Sequence, residues 1–340
     1  MCRQSSNRTI TMDLLCIEPN REPKAISDPV FLDDDRILKN LMITEERYII
    51  SSSYFKCFQT EIKPYMRKVV ANWMLEVCEE ERCQEEVFPL AMNILDRFLA
   101  IVKIRKSQLQ LLGSVCLFLA SKLRQTRPLS AEKLIVYTDK SITIDELMGW
   151  ELLVLNRLKW DLAAITPNDF LNILIRRLHK WPKVSEVQKL IKKHAQTFIA
   201  LCAADWTFSI FPPSMLAAAS ITTAIEGLTR LENNNVCYPI PMINQLHQIT
   251  GLELDLLREC QLQIERIMSS HLSADIKSAN SENYPQKFTD TRVNNIANTG
   301  PTTTEMVYPM KHQTYIDTDD CSLNNNNNEK SMAEVRDIHY

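Results

Sequence analysis

Glycine is scarce: five residues in a chain of 340, against average usage of about 7%. Phosphate-cradling loops and tight β-hairpins both draw on glycine's access to positive φ. Neither GxGxxG nor GxxxxGK[ST] occurs anywhere, so the nucleotide-binding signatures of dehydrogenases and P-loop enzymes are missing. Charge of one sign is lacking too. The formal net charge is −3 and no Lys/Arg run reaches five, Lys189 to His194 coming nearest, which leaves no electrostatic footprint for nucleic acid. The ten cysteines are irregularly spaced, with no CxxC and no Cys/His cluster at zinc spacing. Free thiols in a reducing compartment are expected, with no metal and no cofactor. Residues 1–30 lack the apolar core of a signal peptide, and no window holds 18 uncharged apolar residues. An intracellular protein with no membrane partner is therefore expected. Six scattered histidines and acids such as Asp96 and Asp205 assemble into no nucleophile–base set, so no catalytic residue is assigned. Asp96 and its neighbour Arg97 read instead as a local ion pair.

What is abundant is helical periodicity. A hydrophobic content of 45% supports a large core, and the length suggests two domains. Residues 1–35 read as an extended, polar leader. From about 36 to 271 the period is that of helices. Pro64 suits the first helical position and opens a helix with Met66, Val69, Val70, Trp73 and Val77 on its apolar face. Val87, Leu90, Ala91, Ile94, Leu95, Phe98 and Leu99 form an i, i+3, i+4, i+7 stripe. Three further helices are expected near 107–123, 130–137 and 143–158. After Thr166-Pro167 a second set follows, near 168–178, 184–203, 212–228, 240–248 and 253–269. Its small-residue helix, Ser214 to Ile225, resembles the 109–123 helix in position and character, so the two sets read as a weak tandem repeat. Past 272 asparagines accumulate, including Asn324 to Asn328, and periodicity stops. A disordered tail is expected over 272–340.

Two charges stand inside runs that are apolar on nearly every face. Lys122 closes Leu109 to Ser121, and Glu151 lies within Leu147 to Leu155. An ionised group in such a place costs several kcal/mol unless it is paired or reaches a surface. Lys122 also reads as a cation at a helix C-terminus, favoured by the dipole by roughly 0.3–1 kcal/mol, and Glu151 as a solvated spot on a mostly buried helix.

Several segments carry a resemblance. They include Tyr65 to Glu80, Glu86 to Leu99, Leu109 to Lys122, Ala131 to Leu134, Tyr137 to Asp139, Leu158 to Trp160 and Lys193 to Phe198. Together they resemble the cyclin box, and most closely that of D-type cyclins. The resemblance implies an all-α fold of two tandem five-helix cyclin boxes, over 36–163 and 164–271, flanked by a flexible leader and a disordered tail. It implies a non-catalytic activating subunit of a cyclin-dependent kinase of the 4/6 class, acting at the G1/S transition. By position, Lys122 and Glu151 match the Lys–Glu pair that the family presents to backbone groups beside the kinase αC helix. Cyclin-dependent kinase inhibitors are implied as further partners, and residence in nucleus and cytoplasm is expected.

The family also carries a groove that accepts Arg-x-Leu motifs. Met66, Val69, Val70 and Trp73 match its apolar floor, and Glu76 and Gln110 its polar rim. The alternative for the same stripe is ordinary core, the reading adopted for Met74 and Val77. In the leader, Leu14-Leu-Cys16-Ile-Glu18 is an L-x-C-x-E motif. In an extended chain residues i, i+2 and i+4 face one way, so Leu14, Cys16 and Glu18 present two small knobs and an acid to a groove. The motif resembles the docking signal for retinoblastoma-type pocket proteins, implied as partner and substrate. Residues 1–11 precede Met12, where members of the family usually begin. The family's Thr-Pro site near the C-terminus is replaced by Ser331-Met332, and Thr166-Pro167 is the one Ser/Thr-Pro pair. A second class, a transcriptional cyclin or other cyclin-box transcription factor, is disfavoured by the net charge and by the leader motif.

Overall fold

The computed structural model describes residues 28–50, 53–178, 185–231 and 242–281. The leader motif at Leu14, Cys16 and Glu18 lies outside them, as does the asparagine-rich segment. Among the described residues every regular element is helical. Three short N-terminal helices, α1 (Pro29–Asp33), α2 (Asp35–Glu45) and α3 (Tyr54–Cys57), precede two bundles. The first comprises α4 (Pro64–Glu80), α5 (Val87–Leu99), α6 (Leu109–Arg124), α7 (Ala131–Tyr137) and α8 (Ile144–Arg157). The second comprises α9 (Pro167–Arg177), α10 (Ser185–Ala204), α11 (Pro213–Leu231), α12 (Met242–Thr250) and α13 (Leu254–Ser281).

Each bundle closes on its own apolar core, which is the expected tandem arrangement. The central helix of the first is α6, buried at every position from Leu111 to Ser121 and packed by α4, α5, α7 and α8. The small residues of α11 do what their size permits. Ala217, Ala218, Ala219 and Ser220 are fully buried, letting α9, α10 and α13 lie close around the helix. Local chemistry sets the helix ends. Thr143 and Glu146 form a reciprocal capping box at the start of α8. At the start of α9, Asp169 Oδ2 accepts from the Thr166 amide at 2.7 Å and from its hydroxyl at 2.9 Å. Thr166 is thereby 2% exposed, its proline-directed motif engaged in starting a helix.

Two expectations are corrected at the boundaries. The polar segment up to residue 35 is not wholly extended: Asp28 accepts from the Val30 amide and caps α1. Helices α1 and α2 then pack against the second bundle, although they precede the first. Leu38 is buried in that second core, with Leu32, Ile37, Leu41 and Met42 against it. Asp33 pairs with Arg176 at 2.5 Å and Asp35 with Arg177 at 2.9 Å. Glu45, last in α2 and 3% exposed, accepts from the amide and hydroxyl of Ser214 at the start of α11. Burial pushes the Glu45 carboxyl above its ordinary value, against the pull of those two bonds. At the other end, α13 continues to Ser281, past the expected boundary at 271.

A buried ion pair joins the bundles. Arg67 of α4 reaches Asp96 of α5 through two hydrogen bonds of 2.7 and 2.6 Å, and the residues are 3% and 5% exposed. The same guanidinium donates to the carbonyls of Ala203 and Ala204, at the C-terminus of α10. Tyr54 donates its hydroxyl to Asp96 at 2.8 Å. Asp96 is therefore not paired with its neighbour Arg97, which instead donates to the Asp161 carbonyl and lies over the Tyr48 ring. Removing one partner of a buried pair leaves an uncompensated charge and costs about 3–5 kcal/mol. Arg67→Ala should lower the unfolding free energy by about that amount in urea titrations, with Arg67→Met/Asp96→Leu recovering part of the loss. A single variant as stable as the wild type would show that the joint contributes nothing.

Candidate partner-binding site

Lys122 and Glu151 meet. The ammonium lies 2.7 Å from Glu151 Oε1, and the side chains are 40% and 15% exposed. Lys122 Nζ also sits 3.6 Å from the centroid of the Phe118 ring, one turn earlier on α6. Both basic residues in the last turn of α6 complement its dipole, yet they diverge. Arg124 turns inward to Asp169 and the Ala164 carbonyl, whereas Lys122 points to solvent. A half-exposed pair of this kind contributes only about 0–1 kcal/mol to folding, so stability does not account for its placement.

The surroundings of the pair differ from the buried helix that the apolar run around Glu151 suggested. On α8 only Leu147 and Val154 are fully buried. Ile144, Met148 and Leu152 are exposed, and successive four-residue steps place them on one stripe beside Glu151. Leu123, next to Lys122, is also exposed. The site is thus a surface patch of large apolar side chains with a neutralised cation–anion pair in its midst. That composition suits a protein partner that presents polar backbone groups within an apolar contact.

The second candidate surface lies on α4. The core stripe of this helix is Arg67, Ala71, Met74, Val77 and Cys78, which bears out Met74 and Val77 as core. Met66, Val70 and Trp73 are half-buried, while Val69 and Glu76 are exposed. Met66, Val70 and Trp73 pack at the margin of the first core, and Val69 stands out from it at 58% exposure. The two helices approach closely at Gly113, where an added Cβ would lie 2.9 Å from Val70 Cγ1 and 3.2 Å from Met74 Sδ. Gln110, half-buried one turn before Gly113, shares the face turned to α4. Trp73 is anchored by its indole nitrogen, which donates to the Tyr137 carbonyl at 3.2 Å. The result is a face of half-buried apolar side chains on α4, with Val69 and Glu76 exposed beside them.

Arg67 is a structural residue that the apolar stripe at 66, 69, 70 and 73 hides. It falls four residues before Ala71 and seven before Met74, so continuing the core stripe backwards would have found it. Among the described residues no cluster of metal-ligating side chains occurs, and no helix is long and apolar enough to cross a membrane.

With this geometry in place, known proteins supply the class. Residues 36–163 match the cyclin N-terminal domain and residues 165–301 the cyclin C-terminal domain. The G1/S-specific cyclin-D2 of Gallus gallus is 51% identical over 276 residues, covering 81% of this chain and 94% of its own length. The G1/S-specific cyclin-D3 of Homo sapiens is 53% identical over 262 residues, covering 77% and 87%. Among solved structures, a viral cyclin from herpesvirus saimiri superposes with a TM-score of 0.61 at 28% identity, over 69% of this chain and 97% of that one. The chain belongs to the cyclin family, in its D-type branch.

Proposed function

We propose that this chain is the non-catalytic activating subunit of a cyclin-dependent kinase of the 4/6 class, working at the G1/S transition. The observation that carries the proposal is the Lys122–Glu151 pair exposed among Leu123, Met148 and Leu152. In this reading the pair exchanges its internal contact for hydrogen bonds to kinase backbone groups beside αC, while the apolar stripe packs on the helix. Holding αC inward lets its glutamate pair with the β3 lysine and completes the phosphate-positioning site. The cyclin supplies no reacting group: it binds the active arrangement better and so raises its population. The outer face of α4 then docks Arg-x-Leu segments of substrates and inhibitors on Met66, Val69, Val70 and Trp73, rimmed by Glu76 and Gln110. The Leu14, Cys16 and Glu18 motif recruits a retinoblastoma-type pocket protein as substrate.

Three substitutions separate these roles. Lys122→Glu should weaken kinase binding by about 30-fold or more in titration calorimetry, in line with the 2–5 kcal/mol of a truncated buried charge contact. Its helical signal and melting curve should stay near the wild type, because the internal pair is worth at most about 1 kcal/mol. Equal kinase affinity in wild type and variant would remove the site assignment. Val69→Asp changes an exposed side chain, so phosphorylation of Arg-x-Leu substrates should fall while short peptides without the motif are turned over normally. Uniform turnover of both would sink the docking role of this face. Cys16→Gly should reduce capture of a pocket protein alone, and a parallel drop in peptide phosphorylation would contradict a pure docking role.

A further inference from the structure

The end of α4 holds a pair of thiols that neither candidate surface uses. The helix stops in a Schellman motif: the Cys83 amide donates to the Cys78 carbonyl at 2.8 Å, and the Arg82 amide to that of Glu79 at 3.1 Å. Arg82 takes the left-handed conformation this demands, with φ of 51°, without being glycine. The motif normally places a side-chain contact between the two residues that its longer bond joins. Here those residues are both cysteines, so the turn brings the two thiols to the same end of the helix.

The two sulfurs are inequivalent. Cys78 is buried at 7% exposure, whereas Cys83 is half-buried and open to solvent on one side. The neighbouring Cys78 thiol holds the Cys83 thiol below its ordinary value, helped by Gln125 and the charge of Lys133, against burial and the Glu81 carboxylate. The Cys83 thiol and burial together push Cys78 well up. One sulfur is thus the accessible nucleophile and the other a shielded neighbour across the same turn, the arrangement that favours an attacking and a resolving thiol. The Glu81 carboxylate, bonded to Lys133 and to the Tyr137 hydroxyl, ties this turn to α7. The backbone hydrogen bond across the pair therefore has support on both sides.

We propose that Cys78 and Cys83 form a peroxide-responsive dithiol that closes to a disulfide within the folded protein and reopens with thiol reductants. The Cys83 thiolate attacks one peroxide oxygen, the O–O bond breaks, and hydroxide leaves. Cys83 is then a sulfenic acid, with the sulfur oxidised and the peroxide reduced. The Cys78 sulfur attacks the Cys83 sulfur, the S–O bond breaks, and the departing hydroxide takes the Cys78 proton to leave as water. Starting from the thiolate, one peroxide yields one disulfide, one hydroxide and one water.

The test is peptide mapping of the full chain after graded hydrogen peroxide, with N-ethylmaleimide quenching under denaturing conditions. Exposed Cys57 serves as an internal reference for a lone thiol. The expected result is a peptide spanning 78–83 that lacks two hydrogens, resists the maleimide and is restored by dithiothreitol. It should appear at peroxide doses that leave most Cys57 reduced, with the helical signal intact. In Cys78→Ala the resolving thiol is gone, so a dimedone adduct should accumulate on Cys83. The proposal is overturned if both thiols stay reduced after Cys57 is consumed. It is equally overturned if Cys83 proceeds to sulfinic acid with no bond formed, or if the disulfide appears only as helicity is lost.

Discussion

The Arg67–Asp96 pair is the constraint on which the rest of the molecule depends. One guanidinium serves three clients: a carboxylate in its own bundle and two terminal carbonyls of α10 in the other. The carbonyls sit at the negative end of a twenty-residue helix, so the cation is stabilised both by its partner acid and by the dipole. Trp206 lies beside the guanidinium at 5.6 Å and packs against Tyr54 and Phe55, shielding the joint from water. A buried charge with every hydrogen bond directed is an orientation device as much as a source of stability. The two bundles have separate cores, and apolar contact between them would tolerate sliding. The two bonds from Arg67 to the α10 carbonyls, with the guanidinium fixed by two more to Asp96, do not.

The N-terminal helices act across the same boundary from the other side. Helix α2 precedes the first bundle yet rests on the second, held at both ends by acids on α9 basic residues and by Glu45 on Ser214. Tyr48 then crosses to Asp161, just after α8, at 2.8 Å. A segment that follows the chain into one core while leaning on the other fixes their relation a second time. The Lys122–Glu151 patch is thus carried on a framework tied at two separate places.

Much of this was legible in the residues. The amphipathic stripe of α5 and the all-apolar α6 gave the first bundle, and Pro64 and Thr166-Pro167 marked helix starts that the structure shows. What periodicity could not report is the object against which a face packs. It ran α2 into the first box, as the family match over 36–163 also does, without showing that the helix packs on the second core, and it made α8 a buried helix because its run is apolar. The exposed Met148 and Leu152 are the same apolar residues seen from outside. On α4 the apolar residues at 66, 69, 70 and 73 run beside the buried stripe, whose first member is an arginine. A pattern reader assigns that arginine to water, because an isolated buried charge is costly, and only the distant Asp96 and the α10 carbonyls make the burial tolerable.

The scarcity of glycine has a structural consequence as well as an exclusionary value. Helix ends commonly require a left-handed residue, and glycine is the residue that takes it without steric cost. Gly251, φ 72°, is one such end. Elsewhere Arg82, Asp139, Lys140, Lys159 and Trp160 take positive φ instead, at about 1–2 kcal/mol each. Conformations of that kind persist where the surroundings over-determine them. At Arg82 the supporting bonds are visible in the Schellman pair and the Glu81 contacts to α7. At Lys159 and Trp160 the Trp160 amide closes on the Leu155 carbonyl at 2.8 Å. These turns carry side chains where glycine would have left bare backbone, and the indole of Trp160 stands 65% exposed as a result. A chain that avoids glycine at its corners keeps chemistry there, and the thiol pair behind Arg82 is one product of that choice.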